Sequence, residues 1–258
     1  PLEKKVRNMN KKEAIHEVVE KRIMPLIGLK LRFVDKDGMI RIGFNPSKGS
    51  YSLVGKNAKE ADKKEPTMNF AWVDVGTVIH EMLHALGAIH EHMNPHHNPI
   101  KWDKDAVYKW AKRTQGWSKE ITDTNILDRY SVDQLNGSTY DPESVMLYFF
   151  PASLTENHKG THQNLRLSST DVIWMSNMYP GGMQKPSVFY LDVYDKELYR
   201  KNDTSNSTSI ILVIFGILLV LSLVWFAFVY KQKIYKEQRR PQIMIAPPPP
   251  PINYELQF

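Results

Sequence analysis

The chain of 258 residues has no cysteine, which excludes a disulfide-stapled domain and any metal site built on thiolates. A bound metal must therefore sit on His, Asp, Glu or Tyr. A basic stripe along the body is missing as well. Of the net charge of +6, residues 1–12 carry +4 and residues 231–258 carry +3, so the remainder is −1. A near-neutral body with basic ends lacks the electrostatic footprint of a nucleic-acid binder, and no nucleic-acid partner is expected. Internal repeats are absent. Apolar residues make up 42% and charged residues 24%, which excludes a wholly disordered or polytopic membrane chain.

Long hydrophobic runs are scarce, with one exception. Residues 210–230 read IILVIFGILLVLSLVWFAFVY, 21 residues without a charge, long enough to cross a bilayer as a helix. Lys231, Lys233, Lys236, Arg239 and Arg240 follow at once, while NDTSNSTS at 202–209 is almost uncharged. The positive-inside rule then predicts a single-pass protein with an extracellular or lumenal N-terminal part, in a cell membrane or a viral envelope, and a cytoplasmic C-terminus. Glycosylation acceptors at Asn136, Asn202 and Asn206 fit that orientation weakly. Prolines 247–251 predict an extended segment able to dock an adaptor, or to act as a plain spacer. The expected organisation is a catalytic domain at 1–181, a stalk at 182–209, a transmembrane helix at 210–230 and a basic, Pro-rich cytoplasmic tail at 231–258.

The first two thirds predict a mixed helix and sheet domain. Ile15, Val18, Val19 and Ile23 recur at helical spacing within 12–24, before Pro25. Strands are predicted at 29–34, 40–44, 51–54 and 68–73, separated by turn residues. A helix from about Val75 should carry Ile79, Met82, Leu83 and Leu86 to the core and stop at Gly87. Later helices are expected at 103–113 and 171–178.

Residues 80–91, HEMLHALGAIHE, carry the chemistry. His80 and His84 lie at i and i+4, on one face of the helix, and can aim two imidazoles at one ion. Glu81 is placed beside the metal rather than on it, where it can take a proton from an attacking water and pass it to the leaving amine. Gly87 allows a sharp turn that returns His90 as a third ligand. Three His ligands leave a position open, as in a catalytic zinc site.

The pattern HExxHxxGxxH resembles the metzincin zinc motif, and Glu91 directly after the third histidine is typical of astacin-like enzymes. Ser144-Val145-Met146-Leu147-Tyr148 is similar to the SxMxY methionine turn of astacins. The similarity extends from about Leu29 to Pro180, through IRIGF, GSYSLVG, GTVIHEMLHALGAIHEH and DPESVMLY, and is nearest to cysteine-free microbial members. It implies an α+β metzincin-type fold of two subdomains, one catalytic Zn2+ on His80, His84 and His90, catalytic residues Glu81 and Tyr148, and a protein or peptide substrate. By the same resemblance Met146 would form an apolar floor under the metal. Tyr148 would be the switch tyrosine that ligates the resting metal and swings to the oxyanion. A substrate would pair with an edge strand, for which Met68–Val73 is the candidate.

Departures are visible too. Ala88 stands where an aromatic is usual, Leu147 where a histidine is usual, and MNPHHNP replaces a charged run. Animal astacins bind their processed N-terminus at the glutamate matching Glu91, and the basic leader here offers no obvious counterpart. His92, His96 and His97 are expected to be loop histidines, because the ligand set is already complete. The expected function is a membrane-anchored zinc endopeptidase. The alternative is a catalytically idle protease-like ectodomain serving as a structural or binding protein of a membrane or viral envelope.

Overall fold

The computed structural model describes residues 2–132, 138–186 and, as backbone, 253–257. The stalk, the apolar run 210–230 and the proline run lie outside the described residues. No described helix is long and apolar enough to cross a membrane.

Two helices open the chain, α1 at Leu2–Val6 and α2 at Lys11–Val18. The Asn10 side chain caps α2 by accepting from the Glu13 N–H, which satisfies a donor the helix itself cannot pair. Helical winding continues through a π-turn at Val19–Ile23 and a 3-10 turn at Met24–Leu26, so Pro25 sits in the closing turn. Ile15, Val18, Val19 and Ile23 are all fully buried, as their spacing predicts.

The sheet has the order β1-β5-β2-β4-β3, with β1 at Lys30–Val34, β2 at Ile40–Gly43, β3 at Tyr51–Ser52, β4 at Met68–Asn69 and β5 at Asn253–Gln257. Only β3 runs antiparallel. One expectation is corrected here. Met68–Val73 is not the edge strand: β4 is two residues long and lies between β2 and β3, so Tyr51–Ser52 forms the edge. The cause is Asn69, whose buried amide donates to the carbonyls of Asn45 and Gly49 while its oxygen accepts from the Asn45 N–H. These bonds fold the 45–50 loop so that β3 returns along the outside of β4. The backbone of residues 253–257 lies between β1 and β2, parallel to both. The alternation in Asn-Tyr-Glu-Leu-Gln has the period of a strand, and the register sets Tyr254 opposite Leu31 and Leu256 opposite Ile40.

Helix α3, Val75–Ala85, crosses under the sheet. Asp74 fixes its start, accepting from the Thr77 N–H at 2.9 Å and the Thr77 hydroxyl at 2.7 Å. Val78, Ile79 and Met82 are fully buried among the sheet and α2 residues. Below α3 the chain forms a second core of Ile100, Trp102, Val107, Ala111, Trp117, Ile126, Leu147, Phe150 and Leu154, built around α4 at Lys104–Gln115 and the short α5 at Lys119–Thr122. The two cores correspond to the two expected subdomains.

Helix α6, Ser169–Met178, returns the chain to the upper core, with Ser168 and Asp171 forming a reciprocal capping box. Tyr179 closes the domain: its hydroxyl donates to the Leu86 carbonyl at 2.6 Å, and its carbonyl accepts from the Gly28 N–H at 2.8 Å. Only glycine fits at 28, since a Cβ there would lie 2.0 Å from the Pro180 oxygen.

Candidate metal centre

The helix geometry of α3 delivers His80 and His84 from successive turns of one face. Beyond Leu86 the chain leaves the helix through Gly87 at φ +104°, a conformation that a side chain would strain. The turn brings back His90, and one ring nitrogen from each of the three histidines lies within 4.8 Å of the others. His84 Nε2 and His90 Nε2 are 3.0 Å apart.

The backbone sets the tautomers. His80 Nδ1 donates to the Val145 carbonyl at 2.9 Å and His84 Nδ1 donates to the Ala88 carbonyl at 2.8 Å. A carbonyl can only accept, so each Nδ1 carries the proton and each Nε2 keeps its lone pair for the point where the rings converge. Burial and mutual repulsion reinforce this: desolvation holds His80 below its usual pKa, lowers His84 to about 3 and lowers His90 well below the ordinary value. Three neutral, lone-pair-bearing imidazoles around one point suit a divalent cation with a preference for nitrogen, such as zinc.

Glu81 is 5% exposed and its Oε2 has no hydrogen-bond partner. Burial pushes this carboxyl up to about 8. Unpaired acceptors of this kind are costly in a core, and their persistence marks a functional position. Nearby, the Tyr51 hydroxyl of edge strand β3 is pushed up to about 12 by burial, then by the carboxylates of Glu65 and Glu81. Edge strand β3 packs against α3, the helix that carries Glu81.

Tyr148 faces the histidines from the other side. Its ring centroid is 4.2 Å from that of His90 and 5.7 Å from that of His80, and burial, with the Glu81 carboxylate second, raises its hydroxyl pKa. Thr161 holds it in place by donating its hydroxyl to the Tyr148 carbonyl. Met146 is 2% exposed in the upper core, and its carbonyl accepts from the Glu91 N–H at 3.0 Å. Glu91 itself accepts from the Asn94 amide and from the Asp141 N–H, both at 2.9 Å, while burial lifts it to about 7.

His92, expected as a loop histidine and not a ligand, lies in the short turn Glu91–Met93 and is fully buried. Its ring lies 5.7 Å from Tyr148 and 5.0 Å from Phe150, and its Nε2 donates to the Asn125 carbonyl at 3.1 Å. It lines the back of the tyrosine and is outside the ligand cluster. His97, by contrast, is exposed. The bonds from Asp171 to the methionine turn were not legible either; the capping box at 168–171 was the only local signal for that residue.

A helix carrying two neutral histidines, a returning third and an unpaired carboxylate between sheet and lower core define a metallohydrolase-type centre. Residues 27–179 match the Astacin peptidase family, and the chain belongs to that family. It is 35% identical to myroilysin, whose structure superposes with a TM-score of 0.59 over 69% of this chain and 87% of that one. Two Caenorhabditis elegans proteins are also similar. Zinc metalloproteinase nas-13 is 29% identical over 120 residues, covering 45% of this chain and 23% of that protein. Zinc metalloproteinase nas-4 is 40% identical over 106 residues, covering 40% of this chain and 29% of that protein. The chain thus spans under a third of the length of these curated relatives.

Proposed function

We propose that the protein is a zinc-dependent endopeptidase whose ligands are His80, His84 and His90 and whose general base is Glu81. Zinc, when bound, supplies Lewis-acid polarisation of the scissile carbonyl and of the attacking water. Glu81 takes the water's proton and later delivers it to the departing amine nitrogen, so the carboxyl ends the cycle as it began. Its unpartnered, buried Oε2 beside three neutral histidines is the observation that carries this reading. The Tyr148 hydroxyl donates to the oxyanion of the tetrahedral intermediate. Edge strand β3 pairs with the backbone of an extended protein or peptide substrate and sets its register against Glu81.

The test is Glu81→Gln in the full chain, assayed on a peptide library with zinc content measured in parallel. One zinc per chain with cleavage in the wild type alone supports the assignment. Zinc without cleavage in either protein would move the reading to an idle protease-like ectodomain.

Attachment to a membrane through 210–230 belongs to the same proposal, supported by the 21 uncharged residues of that run. A single crossing and the strand at 253–257 exclude each other within one chain, because β5 needs the tail on the side of the catalytic domain. Protease protection of an epitope beside residue 258 in sealed vesicles separates them. Protection opposite the catalytic domain favours the crossing with a cytoplasmic C-terminus, where the proline run could meet an adaptor. Exposure on the same side favours the strand.

A further inference from the structure

The methionine turn is held from a distance by one carboxylate. Asp171, 7% exposed on the first turn of α6, accepts from the Ser144 hydroxyl at 2.7 Å through Oδ1. Its Oδ2 accepts from the Val145 N–H and from the Ser168 N–H, each at 2.9 Å. Ser144 Oγ in turn accepts from the Met146 N–H at 3.1 Å, and the Asn164 amide donates to the Ser144 carbonyl at 2.9 Å. Residues 144–146 therefore have little freedom to rotate. The free face of this turn is turned to the metal centre: the Val145 carbonyl accepts from His80 Nδ1, and the Met146 carbonyl accepts from the Glu91 N–H next to His90.

We propose that Asp171 is a positioning residue of the metal centre, which fixes the Ser144–Met146 turn and, through the Val145 carbonyl, the tautomer and ring orientation of His80. A ligand imidazole free to rotate or to carry its proton on Nε2 loses affinity, and partners that orient metal-bound histidines govern metal binding for that reason. The carboxylate acts through geometry. An asparagine can keep every link, its oxygen accepting from the two N–H groups while its NH2 donates to Ser144 Oγ, whose hydroxyl proton reorients. Alanine keeps none.

The inference rests on the three histidines being zinc ligands, and the experiment separates the two claims. Zinc dissociation constants are measured by chelator competition in the full chain, for wild type, Asp171→Ala, Asp171→Asn and Ser144→Ala, with folding followed by circular dichroism. The metal-free proteins are also examined by NMR for hydrogen exchange at His80 Nδ1. Asp171→Ala should weaken zinc binding by about 10–100-fold and speed exchange of the His80 ring proton, whereas Asp171→Asn should keep wild-type affinity. Ser144→Ala removes the bond to Asp171 Oδ1 and the acceptor of the Met146 N–H but keeps Asp171 on the Val145 N–H, so it should give a smaller loss in the same direction, and it decides the matter if Asp171→Ala does not fold. Wild-type affinity and exchange in the folded Asp171→Ala and Ser144→Ala proteins would overturn the positioning role alone. A wild type that binds no zinc would overturn it together with the ligand assignment.

Discussion

The two halves of the metal centre are built in different ways. His80, Glu81 and His84 ride on one continuous helix whose opposite face fills the upper core, with Val78, Ile79 and Met82 fully buried. His90 and Tyr148 sit on irregular backbone, held beside His90 by the Glu91 N–H bond to the Met146 carbonyl and at Tyr148 by the Thr161 hydroxyl. On the helix side the period of 3.6 residues places His80, Glu81 and His84, and loop carbonyls are needed only to set the ring orientation of the two histidines. On the loop side each side chain needs its own partners, and those partners come from residues far away in sequence. Placement on that side depends on distant bonded partners; on the helix side it is inherited from the period of the helix.

The comparison can be broken most sharply at the reacting groups. Glu81→Gln should lower kcat by about 10²–10⁴ with zinc retained, measured by steady-state cleavage beside metal analysis. Tyr148→Phe removes a single donor from the loop side and should cost about 10²–10³ in kcat with KM little changed. An equal loss in KM would show that the tyrosine binds substrate generally and not the oxyanion.

Stability should follow the other half. Met82→Ala empties a fully buried site under the helix and should cost about 2–5 kcal/mol in denaturant unfolding. Zinc should offset part of that loss if it binds the folded state through the proposed ligands, two of which α3 carries. A smaller effect is expected from pH. Burial pushes Asp171 up to about 6 from 3.8, so the folded chain holds a proton there that the unfolded chain has released. Stability from this group is therefore full below about pH 4 and declines as pH rises towards 6. Asp171→Asn should flatten that slope in chemical denaturation between pH 4 and 6, and an unchanged slope would assign it to other groups.

The elements that were legible in advance are those with a strong internal period or a strong stop. The apolar spacing of α2 and α3 and the turn at Gly87 act within a few residues of themselves, and they appear where the sequence puts them. The edge strand was misplaced because an apolar run such as MNFAWV says nothing about which neighbour it pairs with. A buried asparagine and its three bonds to the 45–50 loop decided that. The burial of His92 was not legible for a related reason: it comes from the distant rings of Trp102 and Phe150.

By itself, the sequence determined the three-histidine cluster, the glutamate beside it, the absence of disulfides and the helix that presents two of those histidines, since each is a matter of residue type and short spacing. Only the tertiary structure decided which strand forms the edge, what closes around Tyr148 and how Asp171 reaches the methionine turn. Those depend on contacts between segments tens of residues apart, where the free energy of packing and hydrogen bonding, and no local rule, selects the partner.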